Sequence, residues 1–263
     1  MATLTRPTEA DVRRALDVVI DPELDEPITD LGFVRSVSIT GDRLEVHLRL
    51  PTSFCAPNFA YLMASDAKDA LVDLAGGGEV VVELDDHHDS GIINRGLAAN
   101  AGYRGTFLHE ADQDLEELRA MFRRKAHTAA LERCLTALLR ADPDLGEEHV
   151  GRVVLGDLPD DAKTAALVRR REALGLDAHP LSPVLVDEHG QRFADSDLLM
   201  AFRRARSTRI SIDGNAHFCR GLLRTRYPGS GADQAARAEG AESLDAAYDA
   251  TFIPVHALFQ EET

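Results

Sequence analysis

The chain is poor in several features that would assign it quickly. Of its 263 residues only three are cysteine: Cys55, Cys134 and Cys219. Three widely spaced thiols are not a disulfide framework, and they suit a reducing cytoplasm where free thiols persist. No run approaches the roughly 18 consecutive apolar residues of a membrane span. The opening MATLTRPTEADVRRALDVV lacks the apolar core of a signal peptide, so none is expected. Positive charge is scarce, with 29 Lys+Arg against 45 Asp+Glu and a net charge of −16. Nucleic-acid and anionic-membrane binding need a basic footprint, so neither is expected; the charge suits a soluble protein or one that docks on basic partners. There is no Gly-rich phosphate loop of Walker or Rossmann form and no internal repeat.

What is present is enough for a core: 44% of residues are hydrophobic. The length suits one large domain or two ordinary ones. Thr8 with Asp11 resembles a capping box, and Val12, Leu16, Val19 and Ile20 mark one helical face until Asp21-Pro22-Glu23-Leu24 stops it. VSITGDRLEVHLRL reads as a hairpin turning at Gly41-Asp42. Pro57 opens a second helix, which Gly76-Gly77-Gly78 ends, and EVVVEL is a third strand. The expectation is α+β: a small α-β-β-α-β domain with a three-stranded sheet over residues 1–106, whose tail (85–106) is a long loop with a short helical piece. A mainly helical region follows over 107–263. Its first helix breaks near His127, and a second is stopped by Gly175. PVLVDEHGQRF is a β-turn-β piece. DSDLLMAFRRAR is a third helix, followed by a short strand, a turn at Asp213-Gly214-Asn215 and a short helix before Pro228. GSGADQAARAEGAE reads as a mobile linker.

Cys55 lies between an alternating run and a helix start, in LRLPTSFCAPNFAYL. Two readings stand. A helix N-terminus stabilises a thiolate, which is both nucleophile and soft metal ligand; or the residue is a small apolar filler. Asp21 and Glu23 likewise either cap backbone donors or serve a site.

The order of Asp21-Pro22-Glu23, then Leu31-Gly32-Phe33-Val34, then a hairpin, then Thr52-Ser53-Phe54-Cys55 opening a helix resembles the PaaD- and SufT-like iron–sulfur assembly family. The resemblance covers roughly residues 8 to 85. It implies a transient iron–sulfur cluster or iron centre on Cys55, with Asp21 and Glu23 as the acidic motif and Thr52 as the family's threonine. It implies partners too: other assembly proteins and a client apo-metalloenzyme, an oxygenase system among the clients it allows. The sequence departs from the family where Ser53-Phe54 replace Pro-Gly before the cysteine and Ala56-Pro57 follow it. A homodimer sharing a cluster is compatible with one cysteine per chain.

Further candidate metal ligands are His87 and His88 in DDHHD and His217 with Cys219 in DGNAHFC. The last pair converges only on an extended backbone, since i and i+2 do not share a helix face. The sharper expectation is that Cys219 and His217 approach Cys55. Cys134 reads as core, and RRKAH as a solvated face, with docking of an acidic client as its other reading. No catalytic residue is assigned. The alternatives to an assembly role are a metal- or thiol-dependent enzyme using Cys55 with a histidine, and an adaptor in which Cys55 only packs.

Overall fold

The computed structural model describes residues 6–108, 115–142, 144–237 and 239. The N-terminal part runs α1 (Glu9–Leu16), β1 (Ile20–Asp21), β2 (Glu26–Pro27), β3 (Val34–Thr40), β4 (Arg43–Arg49), α2 (Pro57–Ala75) and β5 (Glu79–Asp85). Thr8 caps α1 as its spacing predicts: its hydroxyl accepts the Asp11 N–H, and the Asp11 carboxylate accepts the Thr8 N–H at 2.9 Å. β3 and β4 form the expected antiparallel hairpin. β5 returns parallel to β4 through the α2 crossover, giving the order β3-β4-β5. Leu44, Val46, Leu48, Val82 and Leu84 bury one face of this sheet together with Val12 and Leu16 of α1 and Ala64, Ala67 and Leu71 of α2.

Helix α1 ends at Leu16, before Ile20. Asp21 precedes Pro22, which disfavours helical geometry there, and Ile20–Asp21 instead pairs antiparallel with Glu26–Pro27. Where a long loop with one short helical piece is expected after β5, the structure has two helices, α3 (Ser90–Ala98) and α4 (Gly102–Phe107). Asn94 and Gly96 there serve packing. Asn94 bonds both ways to the Leu84 backbone, accepting its N–H at 2.9 Å and donating to its carbonyl at 3.2 Å. Gly96 lets α4 approach so closely that an added Cβ would lie 2.0 Å from the Thr106 hydroxyl.

The remainder is helical: α5 (Leu115–Ala141), α6 (Ala162–Ala173) and α7 (Leu198–Arg226). α5 does not break at His127, which is buried and whose pKa falls to about 4 through desolvation and the nearby Arg171 and Arg170 charges. RRKAH is therefore a solvated face only as far as Lys125. Asp213-Gly214-Asn215 is not a turn but the middle of α7. Its Asp213 carboxylate takes Arg133 of α5 at 2.7 Å and Arg209, one turn earlier, at 3.1 Å. PVLVDEHGQRF forms a turn closed by a single Val186–Arg192 bridge. A second apolar cluster joins Leu131, Cys134 and Leu135 of α5 to Leu167, Val184 and Phe202. α7 serves both clusters, because its later residues Ala216 and Leu223 enter the first.

The segment read as a linker is anchored where it is described. Arg237 is buried and donates to the Leu24 carbonyl at 2.7 Å, and Glu239 takes Arg170 at 2.8 Å; Ala238 and residues 240–242 lie outside the described residues. Among the described residues no helix is long and apolar enough to cross a membrane.

Candidate functional site

Cys55 sits half-buried on the turn between β4 and α2. The Thr52 hydroxyl lies 3.5 Å from its sulfur and accepts the Phe54 N–H at 3.2 Å, which sets the turn. The segment after β5 braces this turn from one side. His87 is buried, and its Nδ1 accepts the Asp89 N–H at 3.1 Å. The ring proton therefore sits on Nε2, which donates to the Cys55 carbonyl at 2.8 Å. The His88 N–H donates to the Ser53 carbonyl at 2.9 Å. The end of α7 braces the other side. Arg226 donates to the carbonyls of Leu50 and Asp86, and the Tyr227 hydroxyl donates to the Asp86 carboxylate at 2.9 Å.

The adjacent histidines thus divide the work. His87 spends both ring nitrogens on backbone, and His88 is exposed, stacked on Phe54 at 6.0 Å. Phe54 itself is 80% exposed, so an apolar ring stands in solvent beside the thiol.

Cys219 comes to this place from α7. It packs on the same apolar cluster as Cys55. Its thiol is pushed up to about 12 by burial first, and then by the nearby charges of Asp21, Cys55 and Glu23. The Asn215 amide, one turn earlier on α7, donates to the Glu23 carboxylate at 3.1 Å. Asp21 is buried. One of its oxygens accepts the Glu23 and Leu24 N–H groups, each at 2.9 Å. Burial raises its pKa to about 7 against those two bonds, with Glu23 and Glu26 adding to the rise. Asp21 therefore serves as a cap and also places a titrating carboxyl near a thiol.

His217 does not join. α7 is helical there, so two residues of separation turn the side chains about 200° apart, and His217 is exposed. Cys134 is core as expected, its thiol raised to about 12 by burial. Among the described residues no group of three or more His, Cys, Asp or Glu side chains is placed to hold a metal ion. The sequence reading missed Asn215 and Tyr227, and only their distant partners Glu23 and Asp86 give them meaning.

Losing the His87 bonds should loosen the turn. His87→Ala is expected to cost about 1–3 kcal/mol of stability and to speed iodoacetamide alkylation of Cys55, read by peptide mass spectrometry.

These features describe a small α+β domain that presents a braced, half-exposed thiol at a strand-to-helix turn, met by a second thiol from a helical extension. Residues 9–84 match the family described as iron-sulfur cluster assembly protein, and this N-terminal part of the chain is a domain of that family. The match contains Asp21, Glu23, Thr52 and Cys55, and it ends before α3 and α7. No curated protein and no solved structure gives a significant match.

Proposed function

We propose that the chain is a cytoplasmic accessory factor that takes an iron centre or iron–sulfur cluster onto Cys55 in transit and passes it to a client apo-enzyme, with an oxygenase system as one client class. The observation that carries this reading is Cys55 itself. It lies inside the family-matched segment, on a turn fixed from two sides, with its thiol only half-buried and an exposed phenyl ring beside it. A thiolate is a soft ligand suited to iron–sulfur cargo, and one thiol alone is a poor holder. Cys219 supplies a second sulfur from the extension, next to Asp21 and Glu23. With its pKa raised to about 12, the free Cys219 thiol keeps its proton at neutral pH, so cargo binding there would release one.

The enzyme alternative needs an imidazole on the thiol. The buried imidazole beside Cys55, His87, bonds to its carbonyl instead, which favours carriage over thiol catalysis. The helical region, unmatched by the family, is the part we assign to client recognition.

The test is iron and acid-labile sulfide per chain after oxygen-free reconstitution. Wild type should retain both, Cys55→Ala should lose both, and Cys219→Ala should retain less of each. Iron without sulfide would change the cargo to a mononuclear or di-iron centre. No metal in any sample, with client absent or present, would overturn the proposal.

A further inference from the structure

The loop that carries Asp21 and Glu23 has a second side. Val18, Ile20 and Pro22 line a cleft of about 290 Å³, whose opposite wall is Leu62 of α2 and Phe122 of α5. Asp21 and Glu23 of the same segment face the other way: Glu23 takes Asn215 of α7, and the Asp21 charge is felt at Cys219. One strand of backbone therefore separates this cleft from the thiols.

The cleft is apolar at its floor and open at its mouth, where Val18 is 72% exposed. Its volume is at the small end of ligand sites, which run about 300–1,000 Å³. That is room for one anchoring side chain more than for a cofactor. The lining carries three arginines against two carboxylates, in a molecule of net charge −16. Asp66 is taken up by Arg119 in a two-pronged pair, and Asp25 by Arg170 at 2.8 Å. That accounts for both carboxylates lining the cleft. Arg123, also lining it, is exposed and has no carboxylate partner among the described residues. Arg123 follows Phe122, whose ring is the aromatic part of the cleft wall, so the free cation stands beside the apolar surface. An uncompensated arginine beside an apolar cleft is the complement of an acidic segment with one large apolar residue.

We infer that this cleft docks an acidic protein segment anchored by a single large apolar side chain, placing the partner one backbone layer from Cys55 and Cys219. The inference does not require that Cys55 carry cargo.

A fluorescein-labelled peptide with one phenylalanine between two glutamates on either side tests it by anisotropy against the full chain. Overall repulsion from a −16 protein works against non-specific binding of such a peptide. Wild type should bind it, and Arg123→Glu should weaken binding about tenfold or more. The same peptide with lysines in place of glutamates, or serine in place of phenylalanine, should not bind. Cys55→Ala should bind as wild type, so loss of the cargo reading would leave this result standing. Arg123 is exposed, so its replacement leaves the fold intact, which circular dichroism verifies. Three results would overturn the inference: no binding to wild type, equal binding by Arg123→Glu, or equal binding of the lysine peptide. A dimer in sedimentation that Arg123→Glu dissolves would assign the cleft to a second copy instead.

Discussion

Replacing Glu132 by alanine should lower the free energy of unfolding by about 3–5 kcal/mol, measured by urea denaturation. Glu132 is on α5 with no exposed surface. One carboxylate oxygen accepts from the Thr136 hydroxyl at 2.7 Å and from Arg206 at 3.3 Å, and the other accepts from Arg209. Both arginines are on α7, so one buried side chain ties the two long helices together. Removing it leaves two cations facing a buried surface that no longer neutralises them. Each retains one other carboxylate, Glu147 at 2.8 Å for Arg206 and Asp213 at 3.1 Å for Arg209. Those remaining pairs hold the expected loss toward the lower part of the range. Glu132→Gln keeps volume and one acceptor, and should cost less than the alanine variant. A loss under about 1 kcal/mol in Glu132→Ala would mean that the other two carboxylates suffice. α7 also carries Cys219, so the same variant should lower iron retention under mild denaturant before the first hundred residues unfold.

What was legible in the sequence follows how local the cause is. The capping box at Thr8, the Gly41-Asp42 turn, Pro57 at a helix start and Gly76 at its end all act within a few residues, and the α-β-β-α-β order follows from them. The segment after β5 was legible only as a loop with a short helical piece, because Asn94 and Gly96 have loop propensities and act through Leu84 and Thr106. The middle of α7 read as a turn for the same reason. Asp213-Gly214-Asn215 favours a turn on its own, and ion pairs to Arg133 and Arg209 hold it helical. That single error misplaced His217, whose convergence with Cys219 needed extended chain. Cys55 stood out from its position at a strand-to-helix turn, and Thr52 from the family resemblance. The bond from His87 to the Cys55 carbonyl did not, since a histidine pair in an acidic loop gives no sign of which backbone it braces. Glu26 is the same case: its partners Arg220 and Arg237 lie near the other end of the chain.

Asp21→Asn should make the protein more stable at pH 8 by up to about 4 kcal/mol and change it little at pH 4. The sign follows from the two states of the wild-type carboxyl. Unfolded, it titrates near 3.8; folded, burial raises it to about 7. Below pH 3.8 both states hold the proton and the group adds no pH dependence. Between about 4 and 7 the folded state keeps a proton that the unfolded state has lost, so stability falls as pH rises. Above 7 both are ionised, and the whole cost of a buried carboxylate is borne, at about 1.4 kcal/mol per pH unit between the two values. Asparagine keeps the oxygen that accepts the Glu23 and Leu24 N–H groups and never ionises, so its unfolding free energy should lack this decline. Urea denaturation of both proteins from pH 4 to pH 8 gives the comparison, and parallel curves would refute a raised Asp21. The same substitution removes a negative charge from beside Cys219, so the Cys219 thiol should become more acidic and alkylate faster at pH 8. A residue that weakens the fold at neutral pH while setting the protonation of a nearby thiol is the pattern of a functional position. The decisive combination is therefore a more stable Asp21→Asn protein whose load of iron and sulfide differs from that of wild type. A variant that gains stability and retains its full load would reduce Asp21 to a costly loop cap.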